Sequence, residues 1–266
     1  MTAEHNYVAA ETSWVDFRDG NRAFLAVPKR HSPPYRGVIL GHERYGLAQH
    51  TLDLTAKFAS YGYVCIAPDM TTHWDGDKQA LAEGKASLTI THEQIQGYYS
   101  RCLDHLLAMP QVERGRIAAM GVCMSGHYPL LLNSVRGEVA ANIVFYGAQK
   151  DRTPEDVIER LTAPVLGVFG EKDSGISVED VRNLQDRLVR HNKSFEFKIY
   201  ADAPHGWLND TMPPRYFQPQ AEAAWGHLLG FLDRVYAGAF PPDRVRWSFE
   251  SDIAADYDVR KNVRLG

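Results

Sequence analysis

The chain of 266 residues has few of the features that mark membrane, secreted or nucleic-acid-binding proteins. It has three cysteines, a small and odd number that does not fit a framework of paired disulfides. This low cysteine content favours a reducing compartment. No stretch approaches the roughly 18 consecutive apolar residues that a membrane-spanning helix requires. The 29 lysines and arginines are outnumbered by 33 aspartates and glutamates, so the net charge of −4 predicts neither nucleic acid nor an anionic membrane as a partner.

The first 24 residues also lack the apolar core of a secretory signal. Charged side chains are spread through them, at Glu4, Glu11, Asp16, Arg18, Asp19 and Arg22. No internal repeat or Ser/Gly-rich linker divides the chain, and apolar residues make up 44% of it. These observations predict one compact, cytoplasmic globular protein.

Short apolar runs alternate with longer amphipathic stretches along most of the chain. The apolar runs predict buried strands at 38–40, 63–67, 117–120, 141–145, 165–169 and 195–200, and the amphipathic stretches predict helices at 48–61, 92–109, 124–135, 153–160, 178–192 and 219–236. Before them, 12–17 and 22–27 predict an antiparallel hairpin. Strands that alternate with helices are typical of an α/β fold, in which a mainly parallel sheet has helices on both faces.

The segment after the last predicted helix, residues 237–266, differs in composition from a free tail. It contains four aromatic side chains, Phe240, Trp247, Phe249 and Tyr257, and disordered segments have few aromatics. We therefore divide the chain into a main domain at 1–236 and an extension at 237–266. The extension is expected to pack on the body or on a second subunit, in which case it forms a homodimer.

Residues 121–126, with the sequence GVCMSG, follow a predicted strand and open a predicted helix. This is the context of a nucleophile elbow, G-x-S-x-G, with cysteine in the serine position. The turn is tight, so its neighbours must be small, and the N-terminus of the helix favours a thiolate. Cys123 is therefore the candidate nucleophile. Cys65 and Cys102 fall within apolar patterns that are typical of buried cysteine.

Two further loops supply the acid and the base that such a nucleophile needs. Asp173 follows the predicted strand 165–169, and His205 follows the predicted strand 195–200. The order nucleophile, acid, histidine is that of an α/β-hydrolase triad, and all three lie just beyond strand ends. No histidine or cysteine pattern has the spacing of zinc ligands, so we expect neither a metal nor an organic cofactor.

These residues resemble the dienelactone hydrolase family of α/β-hydrolases. The similarity includes GHERYGL at 41–47, YGYVCIAPD at 61–69, GEKD at 170–173 and PHGW at 204–207, and it covers about residues 12–236. It implies an α/β-hydrolase fold and cleavage of a small-molecule ester or lactone through a cysteinyl acyl-enzyme.

The resemblance also implies a role for each site residue. Cys123 corresponds to the nucleophile, Asp173 to the orienting acid and His205 to the base. Glu43 corresponds to a glutamate that lies beside the resting thiol and helps to ionise it. The oxyanion hole would be formed by the backbone N–H groups of Met124 and Arg44.

Two departures from the family pattern concern the substrate. Family members hold a substrate carboxylate with an arginine four residues after the histidine and a serine directly after it, where this chain has Asn209 and Gly206. Dienelactone itself is therefore not the expected substrate. Residues at strand ends and rim loops are candidates for the pocket lining: Tyr45, Trp74, Tyr146, Trp207 and Asn209.

Two alternatives remain open at this point. A thiol nucleophile does not select the leaving group, so a thioesterase or a broad carboxylesterase for small uncharged esters fits the same residues. The alternative from a different class is a hydrolase-fold scaffold that binds a ligand or partner without catalysis. A reactive Cys123 thiol that depends on histidine favours the enzyme, and an inert thiol favours the scaffold.

Overall fold

The central sheet contains nine strands within the residues that the computed structural model describes, 3–148 and 152–255. They are β1 Ala10–Asp16, β2 Arg22–Pro28, β3 Tyr35–Leu40, β4 Tyr63–Pro68, β5 Val112–Val122, β6 Ala141–Phe145, β7 Val165–Lys172, β8 Phe195–Pro204 and β9 Trp247–Ser251. Their order across the sheet is β1-β2-β4-β3-β5-β6-β7-β8-β9. Each of the six predicted buried strands lies within one of them.

The directions of the strands decide where their ends meet. β1 and β2 form the predicted antiparallel hairpin, with Trp14 opposite Phe24, and β2 also runs antiparallel to β4. Every neighbouring pair from β4 through to β9 is parallel. The mainly parallel sheet of an α/β-hydrolase is therefore confirmed. Because parallel strands end at the same edge, the loops after β3, β5, β7 and β8 share one edge of the sheet.

Helices cover both faces of this sheet, as the sequence predicts. They are α1 Ala3–Val8, α2 Gln49–Ser60, α3 Lys78–Ala82, α4 His92–Ala108, α5 Tyr128–Asn133, α6 Glu155–Glu159, α7 Val178–Arg190 and α8 Gln218–Tyr236. Residues of α4, α5, α6 and α7 pack on one face, and those of α2 and α8 pack on the other. Among the helices in the described part of the chain, none is long and apolar enough to cross a membrane.

The central strands are buried on both sides, and alternate residues face opposite layers of helices. In β3, Ile39 packs in the cluster that contains α4, whereas Val38 and Leu40 pack in the cluster that contains α8. All three side chains are inaccessible to solvent. Burial of such a side chain contributes about 1.5–3 kcal/mol. These apolar strands therefore hold the layers together and fix the points from which the loops start.

Two helices begin later than the sequence predicts. The region predicted as a helix at 124–135 starts with a 3-10 turn and becomes α-helical only in α5. Pro129 lies in the first turn of α5, where a helix tolerates a missing N–H. Pro154 immediately precedes α6, so the predicted helix 153–160 is shortened to the range of α6.

The connection between β4 and α4, residues 69–91, is anchored by side-chain caps. The Asp77 carboxylate accepts from the Ala80 N–H at 3.0 Å at the start of α3. At the start of α4, Thr91 and Gln94 form a capping box, in which each backbone N–H donates to the other side chain. These bonds anchor the connection on either side of residues 87–90, which line the cavity described below.

The extension packs on the body as far as the structure describes it. Phe240 lies against Phe231 of α8, with 5.4 Å between the ring centroids. β9 pairs in parallel with β8, and Phe249 packs against the core. Tyr257 and the rest of 256–266 lie outside the described residues. Formation of a homodimer through the extension stays a prediction.

Candidate active site

Four loops at the carboxyl edge of the sheet carry the residues of the predicted site. Glu43 follows β3, Cys123 follows β5, Asp173 follows β7 and His205 follows β8. β3 is the direct neighbour of β5, and β7 and β8 lie together on its other side. The sheet therefore brings two carboxyl groups, a thiol and an imidazole to one region.

The turn after β5 holds Cys123 in a strained backbone conformation. Its φ is +56°, in the left-handed region that residues other than glycine rarely occupy. A Cβ atom on Gly121 would overlap the carbonyl oxygen of Ser125, and one on Gly126 would overlap neighbouring backbone. The Ser125 hydroxyl bonds to both the N–H and the carbonyl oxygen of Val122 at 3.0 Å. The strand and the turn thus approach too closely for larger residues.

The Cys123 thiol, the His205 imidazole and the Asp173 carboxylate form one hydrogen-bonded chain. Nε2 of His205 lies 3.0 Å from Sγ of Cys123, and Nδ1 lies 2.8 Å from Oδ2 of Asp173. A carboxylate only accepts, so Nδ1 carries a proton and donates to Asp173. Oδ1 accepts from the backbone N–H groups of Gly175 and Ile176 at 2.7 and 2.8 Å. The acid is therefore fixed in place, and it fixes the orientation of the ring.

His205 is electrostatically coupled to both of its partners. Burial alone lowers the pKa of His205, but the hydrogen bonds to Asp173 and Cys123 and the charges on these partners outweigh burial and raise this pKa to about 10. An imidazolium beside sulfur favours the thiolate over the thiol. The charged ring of His205 therefore lies where it stabilises negative charge on the sulfur of Cys123.

Glu43 is buried at the same site and is held by two side chains. Its carboxylate accepts from Nδ2 of Asn209 at 2.6 Å and from the Tyr146 hydroxyl at 3.4 Å. The residue is only 5% exposed. Burial and then the charge of Glu43 raise the pKa of Tyr146, so its hydroxyl keeps the proton that it donates. In this geometry the Cys123 thiol is hydrogen-bonded to His205, and the Glu43 carboxylate is hydrogen-bonded to Asn209 and Tyr146.

A cavity of about 650 Å³ is lined by both Cys123 and Glu43. Its wall is formed by the loops after β3, β5, β6, β7 and β8 and by residues 87–90 of the β4–α4 connection. Met124 and Arg44, whose backbone N–H groups are the predicted oxyanion donors, line it as well. Within 3–148 and 152–255, no group of three or more His, Cys, Asp or Glu side chains is arranged to hold a metal ion.

The predicted pocket residues divide into one in the wall and four outside it. Tyr45 lines the cavity. Tyr146 and Trp207 instead lie behind it, fully buried with their rings 5.8 Å apart, because large rings are stabilised by packing in the core. Asn209 is buried, donates a hydrogen bond to Glu43, and lines a smaller neighbouring cavity. Trp74 is half-buried in its own turn and is not in the wall.

Four basic side chains occupy much of the cavity wall, and the sequence marks only the first of them as a site residue. They are Arg44, Arg152, Lys172 and Arg215. Lys172 directly precedes the predicted acid, Asp173, in the sequence. This position could have indicated that Lys172 lies in the cavity wall. Arg152 and Arg215 lie in loops whose paths depend on tertiary contacts, and no local motif points to them.

The family of the chain follows from a match over most of its length. Residues 22–236 match the family model described as "Dienelactone hydrolase family". The chain belongs to the dienelactone hydrolase family. The predicted resemblance is thus confirmed, and so is the prediction of a hydrolase that acts on ester or lactone bonds.

Relatives and solved structures cover nearly the same region. Two proteins named "Putative carboxymethylenebutenolidase" are similar to this chain. The one from Yersinia pestis is 26% identical over 89% of this chain and 92% of its own length, and the one from Escherichia coli K12 is 27% identical over 90% and 91%. The structure of a dienelactone hydrolase-like promiscuous phosphotriesterase from metagenomic libraries has a TM-score of 0.73 at 21% identity, covering 85% of this chain and 99% of that one. This last likeness shows the shared fold.

We expect the Cys123 thiol to be alkylated by iodoacetamide even at a pH of about 6, where an ordinary thiol of pKa about 8.5 is almost wholly protonated. The reason is the charge on His205, which persists as the pH falls from about 10. At that acidic pH, His205→Gln is expected to slow alkylation about tenfold or more. Near pH 9 the difference should shrink, because the thiolate then forms without help.

Intact-protein mass spectrometry measures these rates. Cys65 and Cys102 serve as internal controls, because both are fully buried and should stay unmodified in the folded protein. Burial also raises the pKa of both thiols. Equal rates for the unsubstituted protein and His205→Gln in acid would contradict the thiolate–imidazolium pair.

Proposed function

We propose that the protein hydrolyses an ester or lactone through a cysteinyl acyl-enzyme on Cys123. The observation that carries this proposal is the unbroken chain from Sγ of Cys123 to His205 at 3.0 Å and on to Asp173 at 2.8 Å. A nucleophile, a base and a group that orients the base are the parts that acyl transfer needs. Membership of the family and the names of the relatives support an ester or lactone as the target.

Acylation begins when the thiolate of Cys123 attacks the carbonyl carbon. A C–S bond forms, and the carbonyl oxygen becomes an oxyanion. The proposed donors to the oxyanion are the backbone N–H groups of Met124, next to the nucleophile, and Arg44, in the loop after β3. The intermediate then collapses, the bond to the leaving oxygen breaks, and the His205 imidazolium gives its proton to the departing alkoxide.

Deacylation returns the site to its starting charge. Neutral His205, oriented by Asp173, takes a proton from water as the water oxygen attacks the thioester carbon. The new intermediate releases the carboxylic acid when the C–S bond breaks, and the sulfur leaves as the thiolate beside the imidazolium. With a lactone, the alcohol and the acid are parts of one hydroxy acid product.

Glu43 is proposed as a second acceptor for the proton of the Cys123 thiol, which it takes when His205 has not already done so. Its carboxylate lines the same cavity as the thiol, and the two groups bonded to it, Asn209 and Tyr146, are neutral. It forms no ion pair with any residue in the described part of the chain. Its carboxylate is therefore held in position beside the cavity by neutral hydrogen-bond donors and not by a cation.

Cys123→Ala is expected to lower kcat for 4-nitrophenyl acetate by roughly a thousandfold or more, because the nucleophile is absent. Cys102→Ala is the matched control, with the same atoms removed from a fully buried thiol in α4, and it should retain turnover. Circular dichroism and thermal unfolding check that both variants fold. Retained turnover in Cys123→Ala would remove this residue as the nucleophile. No turnover in any of the proteins, together with an inert thiol, would favour the scaffold alternative.

Glu43→Gln is expected to slow acylation by about a hundredfold, the lower range for a positioned proton-transfer group, while the affinity for the acid product changes little. Stopped-flow release of the leaving group measures acylation, and calorimetry measures product binding. Glu113→Gln is the control, since the half-buried Glu113 lies in β5 near the opposite edge of the sheet, where it pairs with Arg116. An unchanged acylation rate in Glu43→Gln would leave this residue a structural role alone.

A further inference from the structure

The peptide bond between Glu43 and Arg44 carries one of the two N–H groups that are proposed to bind the oxyanion. The backbone N–H groups of Arg44 and Met124 donate to no backbone carbonyl in the described part of the chain. Both residues line the cavity at Cys123. An oxyanion donor must be available in this way, and it must already point at the place where negative charge develops. The direction of the Arg44 N–H therefore has to be fixed before the substrate reacts.

The carbonyl oxygen of the same peptide bond is held by the side chain of His42. Nδ1 of His42 lies 2.7 Å from the Glu43 carbonyl oxygen. A carbonyl oxygen only accepts, so Nδ1 carries a proton and is the donor. The Gly46 N–H donates to the same oxygen at the longer distance of 3.3 Å. His42 therefore forms the shorter of the two hydrogen bonds that hold this carbonyl.

The burial of His42 decides which way the peptide faces. The His42 side chain is inaccessible to solvent, so its hydrogen bond turns the Glu43 carbonyl oxygen towards the interior. The peptide bond is trans, and in a trans peptide the C=O and N–H groups point in opposite directions within one plane. The Arg44 N–H accordingly points away from the His42 ring. The hydrogen bond also polarises the peptide, which makes this N–H a stronger donor.

The backbone on either side of this peptide is held by other contacts. Before it, the Gly41 N–H donates to the Met120 carbonyl oxygen at 2.9 Å, and a Cβ atom on Gly41 would overlap the Tyr99 hydroxyl. After it, Gly46 has a φ of +78°, which glycine adopts without strain. Fixed ends still allow the plane of a peptide between them to rotate. The bond from His42 restricts that rotation.

The second ring nitrogen of His42 argues against a purely structural role. Burial lowers the pKa of His42, against smaller opposing effects of the bond to the Glu43 carbonyl and the charge of Asp69, so the ring is neutral at neutral pH. Nε2 is buried and forms no hydrogen bond with any residue that the structure describes. A buried polar atom without a partner destabilises a fold. A leucine at this position would avoid that cost, so stability alone does not favour histidine here.

We infer that His42 is a positioning residue for the oxyanion hole, because its Nδ1–H holds the Glu43 carbonyl so that the backbone N–H of Arg44 faces the reacting carbonyl oxygen. The inference rests on the proposed function, since that function places an oxyanion at the Arg44 N–H. His42 is not in the cavity wall. It therefore acts on the reaction only through the peptide bond that follows Glu43.

His42→Leu and His42→Asn test this role, because only asparagine retains a side-chain N–H near the position of Nδ1. His42→Leu is expected to slow acylation by 4-nitrophenyl acetate about tenfold or more, since complete loss of an oxyanion donor costs about a hundredfold or more. His42→Asn should recover most of the lost rate. Stopped-flow release of 4-nitrophenolate measures acylation. An unchanged rate in His42→Leu, or an equal loss in both variants, would overturn the inference.

Alkylation of Cys123 separates an effect on the oxyanion from an effect on the thiol or the fold. Iodoacetamide reacts at a saturated carbon and forms no oxyanion, so its rate with Cys123 should not change in His42→Leu. His105→Leu is the matched control, because His105 is a half-buried histidine in α4 whose ring lies against Phe17, and it should leave both rates unchanged. Equal losses of acylation and alkylation in His42→Leu would overturn the inference.

NMR of the unsubstituted protein separates the failure of this inference from the failure of the proposed function. With isotope-labelled histidine it reports which ring nitrogen of His42 carries the proton, and it needs neither turnover nor the leucine variant. At neutral pH a proton is expected on Nδ1 and none on Nε2. A proton on Nε2 alone would overturn the inference even if esters are hydrolysed. A proton on Nδ1 without any ester turnover would support the orientation of the peptide by His42 and contradict the proposed function.

Discussion

The turn after β5 is the constraint on which the rest of the site depends. It holds Cys123 at a φ of +56°, and it leaves no room for a side chain at Gly121. This geometry sets the position of Sγ, and the loops after β7 and β8 must then deliver Asp173 and His205 to within hydrogen-bond distance of each other and of the sulfur. They do so because the strands beneath them are apolar, buried on both faces and therefore fixed in register.

The parts of the protein that could be predicted from the sequence are those that local chemistry determines. Apolar runs of strand length locate β3 to β8, since a strand buried on both faces needs them. The small residues around Cys123 indicate the tight turn, because only they fit it. Asp173 and His205 are recognisable from their positions directly after strands in a fixed chain order. The distances and the charge coupling among these residues come only from the fold.

Much of the cavity wall could not be predicted, because it depends on how long loops cross the sheet. Trp207 follows a strand end and has the composition of a pocket residue, yet the core buries it completely. Asn209 bonds to Glu43 across a long separation in sequence, so no local pattern indicates this contact. Arg152 and Arg215 join the wall for the same reason. The overall acidic composition even suggests the opposite charge for the site.

The most direct test of the cysteinyl acyl-enzyme is to find the acyl group on the Cys123 thiol during turnover. The protein is mixed with an activated ester, quenched in acid at a series of short times and digested, and the peptides are analysed by mass spectrometry. We expect a transient mass increase equal to the acyl group on the peptide that contains Cys123, with Cys65 and Cys102 unmodified. A burst of leaving group with the acyl group on another residue, or with no adduct on Cys123, would contradict the proposed mechanism.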